Sequence, residues 1–432
     1  MTKRFPIVAT VALACSMPCA AWAQTPAPPA SKVAALPQSP EVLTIEEATE
    51  RFLRRNLAVE AARFQVSVAE AEIVGAPLRP RPGLTVTGEN LRVAGLTPFD
   101  RLYEVSAVVA QPIELGGRSR LRMEVAERTV AAARFQLTSV LQRRLYDLRR
   151  TYYESVLQRM LLEIAQNNRA DFEELVRLNT VRFREGQIAE GELLKVLLER
   201  IRFDSASARA RLGLQQANIR LLELLGENDY ARATVLDVRG ELAFRPATVD
   251  LEGLRQAALV NRPDIRAAEA EFRRAESAAH LERSRGKGEI TPFLGYRRIG
   301  VDHAVIAGAT FPLPFGNRNQ GGIVRADAEK SVAEASLRLT RNRALAEVDS
   351  AYRAYETARE QARAYEAGVL RQADQSLAIT LAAYREGASE LIVLLDAQRT
   401  RSDMRADYYR ALFDYQTSLF LLEQAAGVEI KP

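Results

Sequence analysis

Polar and apolar residues alternate with a period of two in two stretches of the first quarter of the chain. Leu84 and Val86 alternate with threonine residues, and Val105 and Val109 belong to a second run with the same pattern. A period of two predicts β-strands with one apolar and one polar face. Two further strands are predicted at about residues 289–313, where the alternation is weaker. Strands of about ten residues can cross a bilayer when tilted, although a soluble four-stranded sheet would show the same pattern.

Most of the remaining chain has apolar residues spaced three and four positions apart. This spacing predicts helices that pack through an apolar stripe, as in antiparallel coiled coils. Proline is absent from residues 113–245 and from residues 315–431, so each stretch is predicted to hold very long helices. A helix from Arg118 to Glu185 would reach about 100 Å at about 1.5 Å per residue. The stripes are formed by Leu214, Ala217, Leu221 and Leu224, and by Leu412, Tyr415, Leu419 and Leu422.

The same order of elements occurs twice: a helix, two strands, a long helix, a turn and a return helix. We therefore predict an internal duplication, with structural repeats at residues 43–245 and 246–432. In each repeat a hinge rich in proline and glycine joins the second strand to the long helix. The hinge residues are Pro112, Gly116 and Arg118 in the first repeat, and Pro312, Pro314, Gly316 and Arg318 in the second. The turns after the long helices are Arg184-Glu185-Gly186 and Arg385-Glu386-Gly387, where glycine is a helix-stop signal.

The N-terminal residues have the features of an export signal. A basic pair precedes a short apolar run, and Ala21-Trp22-Ala23 is a cleavage motif, so residues 1–23 are predicted to be a signal peptide. Lipid attachment at Cys15 is the alternative, because the residues before it resemble a lipobox. Residues 24–42 are rich in proline and alanine and predict an extended tether. Both cysteines lie within the predicted signal peptide, so the mature chain would have no disulfide and no thiolate metal site.

Charge and motif content exclude several classes of function. The formal net charge of +5 is modest, and arginine and glutamate alternate along the predicted helices. This pattern is typical of solvated or interhelical faces and does not indicate a nucleic-acid surface. No nucleophile–base set, phosphate-binding loop or dinucleotide fingerprint is present, and His280 and His303 are isolated. We therefore predict no enzymatic activity, no cofactor, no metal site and no nucleic-acid partner.

Four predicted strands per chain limit how the protein could span a membrane. No apolar run is as long as a transmembrane helix. An open sheet edge in lipid leaves backbone groups unpaired, so a spanning sheet must close into a barrel. The smallest common barrels have about eight strands, so one chain cannot close a barrel alone. Three chains would supply about 12 strands, and their helices could continue below as the wall of a tunnel.

The order of elements and three sets of residues resemble the outer membrane factor family, the TolC-like efflux ducts. These residues are the two hinges, the two Arg-Glu-Gly turns and the segment Glu390–Ala397, within a resemblance that covers about residues 43–427. It implies an α+β membrane protein that forms a homotrimer. Long antiparallel coiled-coil helices would form an α-helical barrel, and four strands per chain would contribute to a trimeric β-barrel of about 12 strands.

The resemblance also implies a location and partners. The location is the outer membrane of a Gram-negative bacterium, in contact with outer membrane lipid and extending into the periplasm. The partners are a periplasmic adaptor protein and an inner-membrane RND-type pump, which supplies the energy. Such ducts carry out no chemistry, so the implied function is passive export of a substrate that the pump delivers.

Three segments resemble more narrowly the CzcC-like heavy-metal efflux outer membrane proteins. They are Thr87–Leu91, Glu114–Arg118 and Pro312–Gly321. This narrower resemblance implies export of divalent cations such as cobalt, zinc or cadmium. An efflux duct for drugs or other organic compounds would share the fold, and a soluble periplasmic coiled-coil adaptor or scaffold is the alternative without a channel.

The family has acidic residues at a constricted gate near its periplasmic tip. The resemblance assigns Asp396 to this gate, and Glu390 is the candidate for a second acid because Val393 occupies the position where the family has one. A ring of carboxylates would attract cations through its local field. An ordinary exposed helix residue is the alternative for Asp396. The two turns would contact the adaptor through Arg184, Glu185, Gly186, Arg385, Glu386 and Gly387.

Overall fold

The computed structural model of the protein describes residues 41–91, 103–313 and 315–430. The predicted signal peptide, nearly all of the predicted tether and Pro314 lie outside these residues. The first half contains, in order, β1 (Glu41–Leu43), α1 (Ile45–Arg55), α2 (Leu57–Gly75), β2 (Gly83–Glu89), β3 (Glu104–Ala110), β4 (Ile113–Glu114), α3 (Arg118–Arg184) and α4 (Glu190–Leu224). A 3₁₀ helix (Tyr230–Thr234) follows, then β5 (Leu236–Val238), α5 (Leu251–Asn261), α6 (Pro263–Arg285), β6 (Glu289–Ile299), β7 (Asp302–Thr310), α7 (Gln320–Ala364), α8 (Leu370–Arg385) and α9 (Leu391–Ala426).

The first long helix, α3, is continuous over 67 residues, as its proline-free sequence predicts. At about 1.5 Å per residue it is about 100 Å long. Gly117, with φ of 69° in the left-handed region, directly precedes its first residue. After the turn at Gly186, α4 returns along α3. These two helices form a long hairpin.

The second long helix is interrupted, contrary to the expectation from its proline-free sequence. A single π-helical turn at Tyr365–Val369 separates α7 from α8. Gly368 within this turn has φ of 112°, a conformation that residues with a side chain rarely adopt. The interruption depends on a glycine, so the spacing of prolines carries no information about it. α8 and α9 form the second hairpin beyond this break.

Strands from both halves of the chain form one antiparallel sheet in the order β2, β3, β6 and β7. β3 and β6 join the halves, with Val105 opposite Arg298 in the register. β2 and β7 are the two edges, and among the described residues neither has a partner on its outer side. Three short strands were not predicted from the sequence. β4 pairs with the start of β6, and β1 pairs in parallel with β5.

The helices form a layer in which two pairs of helices are stacked end to end. α4 ends where α2 begins, and α9 ends where α6 begins. At the first junction Asn56 Nδ2 donates to the carbonyl oxygen of Leu224 at 2.8 Å. At the second junction Arg262 Nη1 donates to the carbonyl oxygen of Ala425 at 3.1 Å. Across the layer the order is α2 with α4, then α3, then α6 with α9, then α7 with α8.

The largest apolar cluster lies where the halves of the chain meet, and it contains three buried tyrosines. Their hydroxyls hold the segment between β5 and α5 against the helices. Tyr152, Tyr355 and Tyr415 donate to the carbonyl oxygens of Arg239, Ala247 and Arg245, respectively. A smaller apolar cluster near the turns includes Phe172, Val196 and Tyr384. None of the helices in the described ranges combines the length and apolar composition that crossing a membrane requires.

Candidate functional site

One face of the four-stranded sheet is apolar and uncovered. Leu84, Val109 and Leu294 lie opposite one another on β2, β3 and β6, so their side chains point to the same face. Residues two positions away on each strand continue this face. Its large side chains are 40% to 76% exposed: Leu84, Val86, Val105, Val109, Leu294, Tyr296 and Val305. A contiguous exposed apolar surface of this kind marks contact with lipid or with another protein.

The opposite face of the sheet is polar along the half that is farther from the helices. The hydroxyls of Thr87 and Ser106 share a hydrogen bond of 2.5 Å between β2 and β3. Arg297 on β6 forms an ion pair with Glu104 on β3, with 3.7 Å between nitrogen and oxygen. Successive side chains in this part of each strand therefore point alternately to an apolar face and to a polar face. Strands that separate lipid from an aqueous lumen have the same alternation. A soluble sheet would cover its apolar face, and no described residue covers this one.

Arg118 at the first hinge fastens the sheet end of α6. Pro112 and Gly116 lie between β3 and α3, and Gly116 has φ of 80°. Arg118 is the first residue of α3, and its Nη2 donates to the carbonyl oxygens of Arg285 at 3.0 Å and Gly288 at 2.6 Å. Arg285 is the last residue of α6 and Gly288 lies three residues beyond it, in the region where a helix leaves carbonyl acceptors unsatisfied. The arginine of the predicted hinge is thus a C-terminal cap for a neighbouring helix.

Arg122, one turn after Arg118, fastens the sheet end of α2 and was not identified from the sequence. Its Nε donates to the carbonyl oxygen of Ala76 and its Nη2 to that of Leu78, both at 3.0 Å. Its Nη1 forms an ion pair with Glu114 at 2.5 Å. Two arginines of α3 therefore cap the helices on either side of it. The capping role of Arg122 depends on residues that are distant in sequence and close only in the folded chain, so the spacing of motifs does not predict it.

The second hinge uses different residues for the same purpose. Pro312 and Gly316 lie between β7 and α7, and Gly316 has φ of 83°. Arg318 is exposed and precedes the first residue of α7 by two positions. Asn319, with φ of 62°, donates instead from Nδ2 to the carbonyl oxygen of Glu282 on α6 at 2.9 Å. The arginine that matches Arg118 in sequence is therefore not the residue that caps a helix in the structure.

The two predicted turns lie side by side at the end of the hairpins. Gly186 and Gly387 have φ of 72° and 78°, which lets each chain reverse direction. Arg182 links the hairpins, because its Nη2 donates to the carbonyl oxygen of Arg385 at 2.7 Å. Four charged side chains of the turns are exposed: Arg184, Glu185, Arg385 and Glu386.

A buried hydrogen bond reinforces the contact between the hairpins. Tyr384 on α8 donates from its hydroxyl to Oδ1 of Asn179 on α3 at 2.5 Å. Both residues are buried, and the guanidinium of Arg182 lies 5.1 Å from the centre of the Tyr384 ring. Leaving either polar group without its partner would cost about 1–3 kcal/mol. The turns are therefore held in a fixed arrangement at the tip.

The two candidate gate residues are exposed near this tip. Glu390 is the residue that precedes α9, and Asp396 lies on the exposed side of its second turn. Val393, where the resemblance implies a second acid, is 49% exposed on the same helix. Among the ion pairs of the described residues, none involves Asp396 or Glu390. Their carboxylates are thus available to solvent and to cations.

Other acids of the hairpins are neutralised by arginine. Arg401 on α9 lies 2.8 Å from Asp374 on α8 and 3.0 Å from Asp171 on α3, and Arg405 also contacts Asp374. Burial alone would raise the pKa of Asp374, but the hydrogen bonds and charges of Arg401 and Arg405 outweigh it and lower that pKa. Within the described ranges no group of three or more His, Cys, Asp or Glu side chains is arranged to hold a metal ion.

Comparison with known proteins agrees with this architecture. A family model described as "Outer membrane efflux protein" matches residues 48–227 and 254–428. The cobalt-zinc-cadmium resistance protein CzcC of Cupriavidus metallidurans is 27% identical over 378 residues, with 86% of each chain covered. The pyoverdine export outer membrane protein OpmQ of Pseudomonas putida is 25% identical over 438 residues, covering 93% of this chain and 90% of OpmQ.

The fold is also that of a solved outer membrane channel. The crystal structure of the Campylobacter jejuni CmeC outer membrane channel superposes with a TM-score of 0.77 at 17% identity, covering 90% of this chain and 86% of CmeC. The family match covers both halves of the chain, including both long hairpins. The TolC-like resemblance is confirmed, and with it a location in the outer membrane. The chain belongs to the outer membrane efflux protein family.

Proposed function

We propose that three copies of this chain close head to tail into a duct through the outer membrane. The observation that carries this proposal is the pair of open edges on one sheet, β2 on one side and β7 on the other. In lipid the unpaired backbone groups of both edges must find partners. Pairing β7 of one copy with β2 of the next satisfies every edge only when the ring closes. Three copies of four strands give a barrel of about 12 strands, within the usual range.

The edges of the helical layer support the same head-to-tail contact. α2 is at the edge next to β2, and α7 is at the edge next to β7. Both helices carry exposed large apolar side chains, and these include four that are 63% to 69% exposed: Leu57, Phe64, Val332 and Leu339. Phe64 lies about 17 Å and Val332 about 18 Å from the sheet end of its helix, at about 1.5 Å per residue. Leu57 and Leu339 are matched in the same way, at about 27 Å and 29 Å.

A duplicated chain fits this ring, because three copies then supply six similar units of wall. The two halves have the same order of elements. Each half also contains one pair of helices stacked end to end, α4 with α2 in the first half and α9 with α6 in the second. Asn56 and Arg262 close equivalent junctions with different side chains. We infer that the halves arose by duplication, with repeats at residues 43–245 and 246–432. The predicted signal peptide at residues 1–23 and the tether at residues 24–42 complete this proposed organisation.

The duct would work as the outer part of a tripartite efflux system. The exposed charged side chains of the two turns offer a contact surface for a periplasmic adaptor: Arg184, Glu185, Arg385 and Glu386. Gly186 and Gly387 allow the reversals that bring these side chains to the tip. An inner-membrane RND-type pump would supply the energy, since the chain itself offers only a passage. The apolar sheet face argues against the alternative of a soluble periplasmic scaffold.

The proposed cargo is a divalent metal cation, with an organic compound as the second candidate. CzcC is by name a cobalt-zinc-cadmium resistance protein, whereas OpmQ is by name a pyoverdine exporter. The free carboxylates of Asp396 and Glu390 near the tip favour cations. A ring of three Asp396 side chains in a narrow passage would raise the local cation concentration by its field. Such a ring would attract cations without the tight binding that would slow their release.

Deleting the gene and measuring growth inhibition tests the cargo. Greater sensitivity to zinc, cobalt or cadmium, restored by the intact gene, is the expected result. Greater sensitivity to organic compounds alone would instead support the second candidate and contradict the metal proposal.

Single-channel recording tests the gate. The Asp396→Asn variant should require a higher concentration of divalent cation for half-maximal block than the unaltered protein. Glu241→Gln is the matched control, because it removes an exposed carboxylate on the segment between the halves, outside the hairpins. Block that is the same for Asp396→Asn and the unaltered protein would remove Asp396 from the gate.

A further inference from the structure

Four side chains form a cluster at the far end of the apolar sheet face: Tyr103, Tyr296, Arg298 and His303. We call it the rim cluster. Arg298 lies opposite Val105 on β3 and opposite His303 on β7, so it continues the apolar face by one row. Tyr296 lies in the preceding row, opposite Val305. The rim cluster is therefore the point where an apolar surface becomes aromatic and basic.

Contacts within the rim cluster hold its two basic side chains in place. The guanidinium carbon of Arg298 lies 5.4 Å from the centre of the Tyr103 ring, within the range of a cation–π contact. Its Nε donates to the carbonyl oxygen of Gly300 at 2.9 Å. The hydroxyl of Tyr296 hydrogen-bonds Nδ1 of His303. These contacts use Nε of Arg298 and Nδ1 of His303. The two Nη atoms of Arg298 and Nε2 of His303 take no part in them.

Arg298 differs in one respect from its neighbour Arg297. Arg297 points to the polar face and forms an ion pair with Glu104. Among the ion pairs of the described residues, none involves Arg298. Its charge thus lies on the apolar side of the sheet without a carboxylate from this part of the chain. Where this face of the sheet lies against lipid, an anionic or strongly polar partner from outside the sheet would compensate the guanidinium for the water that lipid displaces.

The position of the rim cluster indicates what that partner is. The helices attach to the sheet through β2, β3, β6 and β7 at the opposite end of the strands, and the rim cluster adjoins the β6–β7 turn. β6 has 11 residues, enough for a tilted strand to cross the hydrocarbon core. With the helices in the periplasm, the rim cluster lies at the level of the outer-leaflet headgroups. Tyrosines at this level form the aromatic girdle of outer membrane barrels.

We infer that the rim cluster binds a phosphate-bearing headgroup of an outer-leaflet lipid. The planar guanidinium of Arg298 offers the two parallel donors that match a phosphate, and His303 offers a second donor nearby. Tyr103 and Tyr296 would contact the boundary between headgroup and acyl chain. This inference rests on the proposed function, because it requires the sheet to face lipid. It adds a specific lipid contact on the outside of the duct, away from the passage.

Native mass spectrometry of the full detergent-purified protein tests the inference. The probes are lipid A with both phosphates, the same lipid after removal of its phosphates, and inorganic phosphate. The unaltered protein should bind the phosphorylated lipid about tenfold more tightly than the dephosphorylated lipid, the order expected of one charge-assisted hydrogen bond. Arg298→Gln should abolish this preference. Arg297→Gln is the matched control on the polar face and should keep it.

The remaining outcomes distinguish failure of the lipid-binding inference from failure of the proposed function. Equal binding of both lipids by the unaltered protein would overturn the inference that the rim cluster binds a phosphate, without affecting the proposed function. The same holds if Arg298→Gln and Arg297→Gln lose the preference for the phosphorylated lipid equally. Retention of neither lipid would contradict the membrane-facing sheet and hence the proposed function as well. Displacement of the lipid by millimolar inorganic phosphate would reassign the site to a free anion. If Arg298→Gln does not assemble, His303→Gln provides the same comparison and should weaken the preference.

Discussion

Replacing Gly226 by alanine tests the junction between α4 and α2. Gly226 lies just beyond the C-terminal end of α4 and has φ of 73°, in the left-handed region. A Cβ atom at this position would lie 2.3 Å from the carbonyl oxygen of Arg55 and 2.9 Å from its carbonyl carbon. Both contacts are with backbone, so no side-chain rotation can relieve them. The end of α4 would have to move away from Arg55, which is the last residue of α1 and lies at the junction where α2 begins.

The expected cost comes from two separable effects. Alanine in the left-handed region costs about 1–2 kcal/mol, and forced movement of packed elements adds about 1–3 kcal/mol. Gly186 has φ of 72°, and a Cβ atom added there would meet nothing within 4 Å, so Gly186→Ala should cost only the first amount. Gly427 has φ of 70°, and a Cβ atom there would lie 3.2 Å from the backbone nitrogen of Arg262. Gly427→Ala should therefore destabilise the protein by an amount between those of Gly186→Ala and Gly226→Ala. Gly226→Ala should therefore destabilise the protein by about 2–5 kcal/mol.

Denaturant unfolding of the purified protein in detergent measures this order. The predicted ranking of destabilisation is Gly226→Ala, then Gly427→Ala, then Gly186→Ala. Because all three positions have nearly the same φ, the ranking isolates how closely each glycine approaches the neighbouring backbone at the helix junctions. Equal losses of stability in Gly226→Ala and Gly186→Ala would contradict the close approach of Gly226 to Arg55, the last residue of α1, at the junction where α2 begins.

Two further predictions concern charged side chains. Arg262→Met should destabilise the protein by about 2–4 kcal/mol, because the Arg262 side chain is only 10% exposed. Its loss leaves the carbonyl of Ala425 without its side-chain donor and removes an ion-pair partner from Asp264 and from Glu347. Arg353→Met, at an exposed ion pair, is the control, and an equal thermal shift in both variants would contradict the prediction. Asp374 has a pKa lowered from 3.8, so its stabilising contribution is present above pH 3.8 and is lost as pH falls through the lower folded-state pKa. Asp374→Asn should reduce the loss of unfolding free energy between pH 3.8 and lower pH, measured by denaturant unfolding at a series of pH values. An unchanged loss in this pH range would contradict the prediction.

Features that depend on local chemistry could be predicted from the sequence. The span of α3 follows from the absence of proline, and its end follows from the glycine at position 186. Gly186 and Gly387 both adopt the positive φ that a helix-stop glycine allows. The apolar face of the first two strands was visible as alternation, since side chains on a strand alternate between faces. In each case the physical cause lies within a few residues of its effect.

Features that depend on distant partners could not be predicted. Arg122 caps α2 across 44 to 46 positions of sequence, and no local pattern signals which of many arginines does so. Asn319, not Arg318, caps α6 at the second hinge because only the folded chain brings it to Glu282. Gly368 interrupts the second long helix without any nearby proline. The rim cluster joins residues of β6 and β7 to Tyr103, which directly precedes β3, so it exists only in the register of the assembled sheet.

Disulfide trapping between copies in intact cells tests the central claim, a closed ring of three chains. The only native cysteines are within the predicted signal peptide, so introduced cysteines would react only with each other. Phe64→Cys with Val332→Cys joins exposed positions at matched heights on α2 and α7, whereas Phe64→Cys with Val324→Cys is mismatched by about 10 Å. A closed ring of three chains should give oxidised species of two and three chains, and none larger, from the matched pair and little from the mismatched pair. Absence of crosslinks in the matched pair, or a ladder beyond three chains, would contradict it.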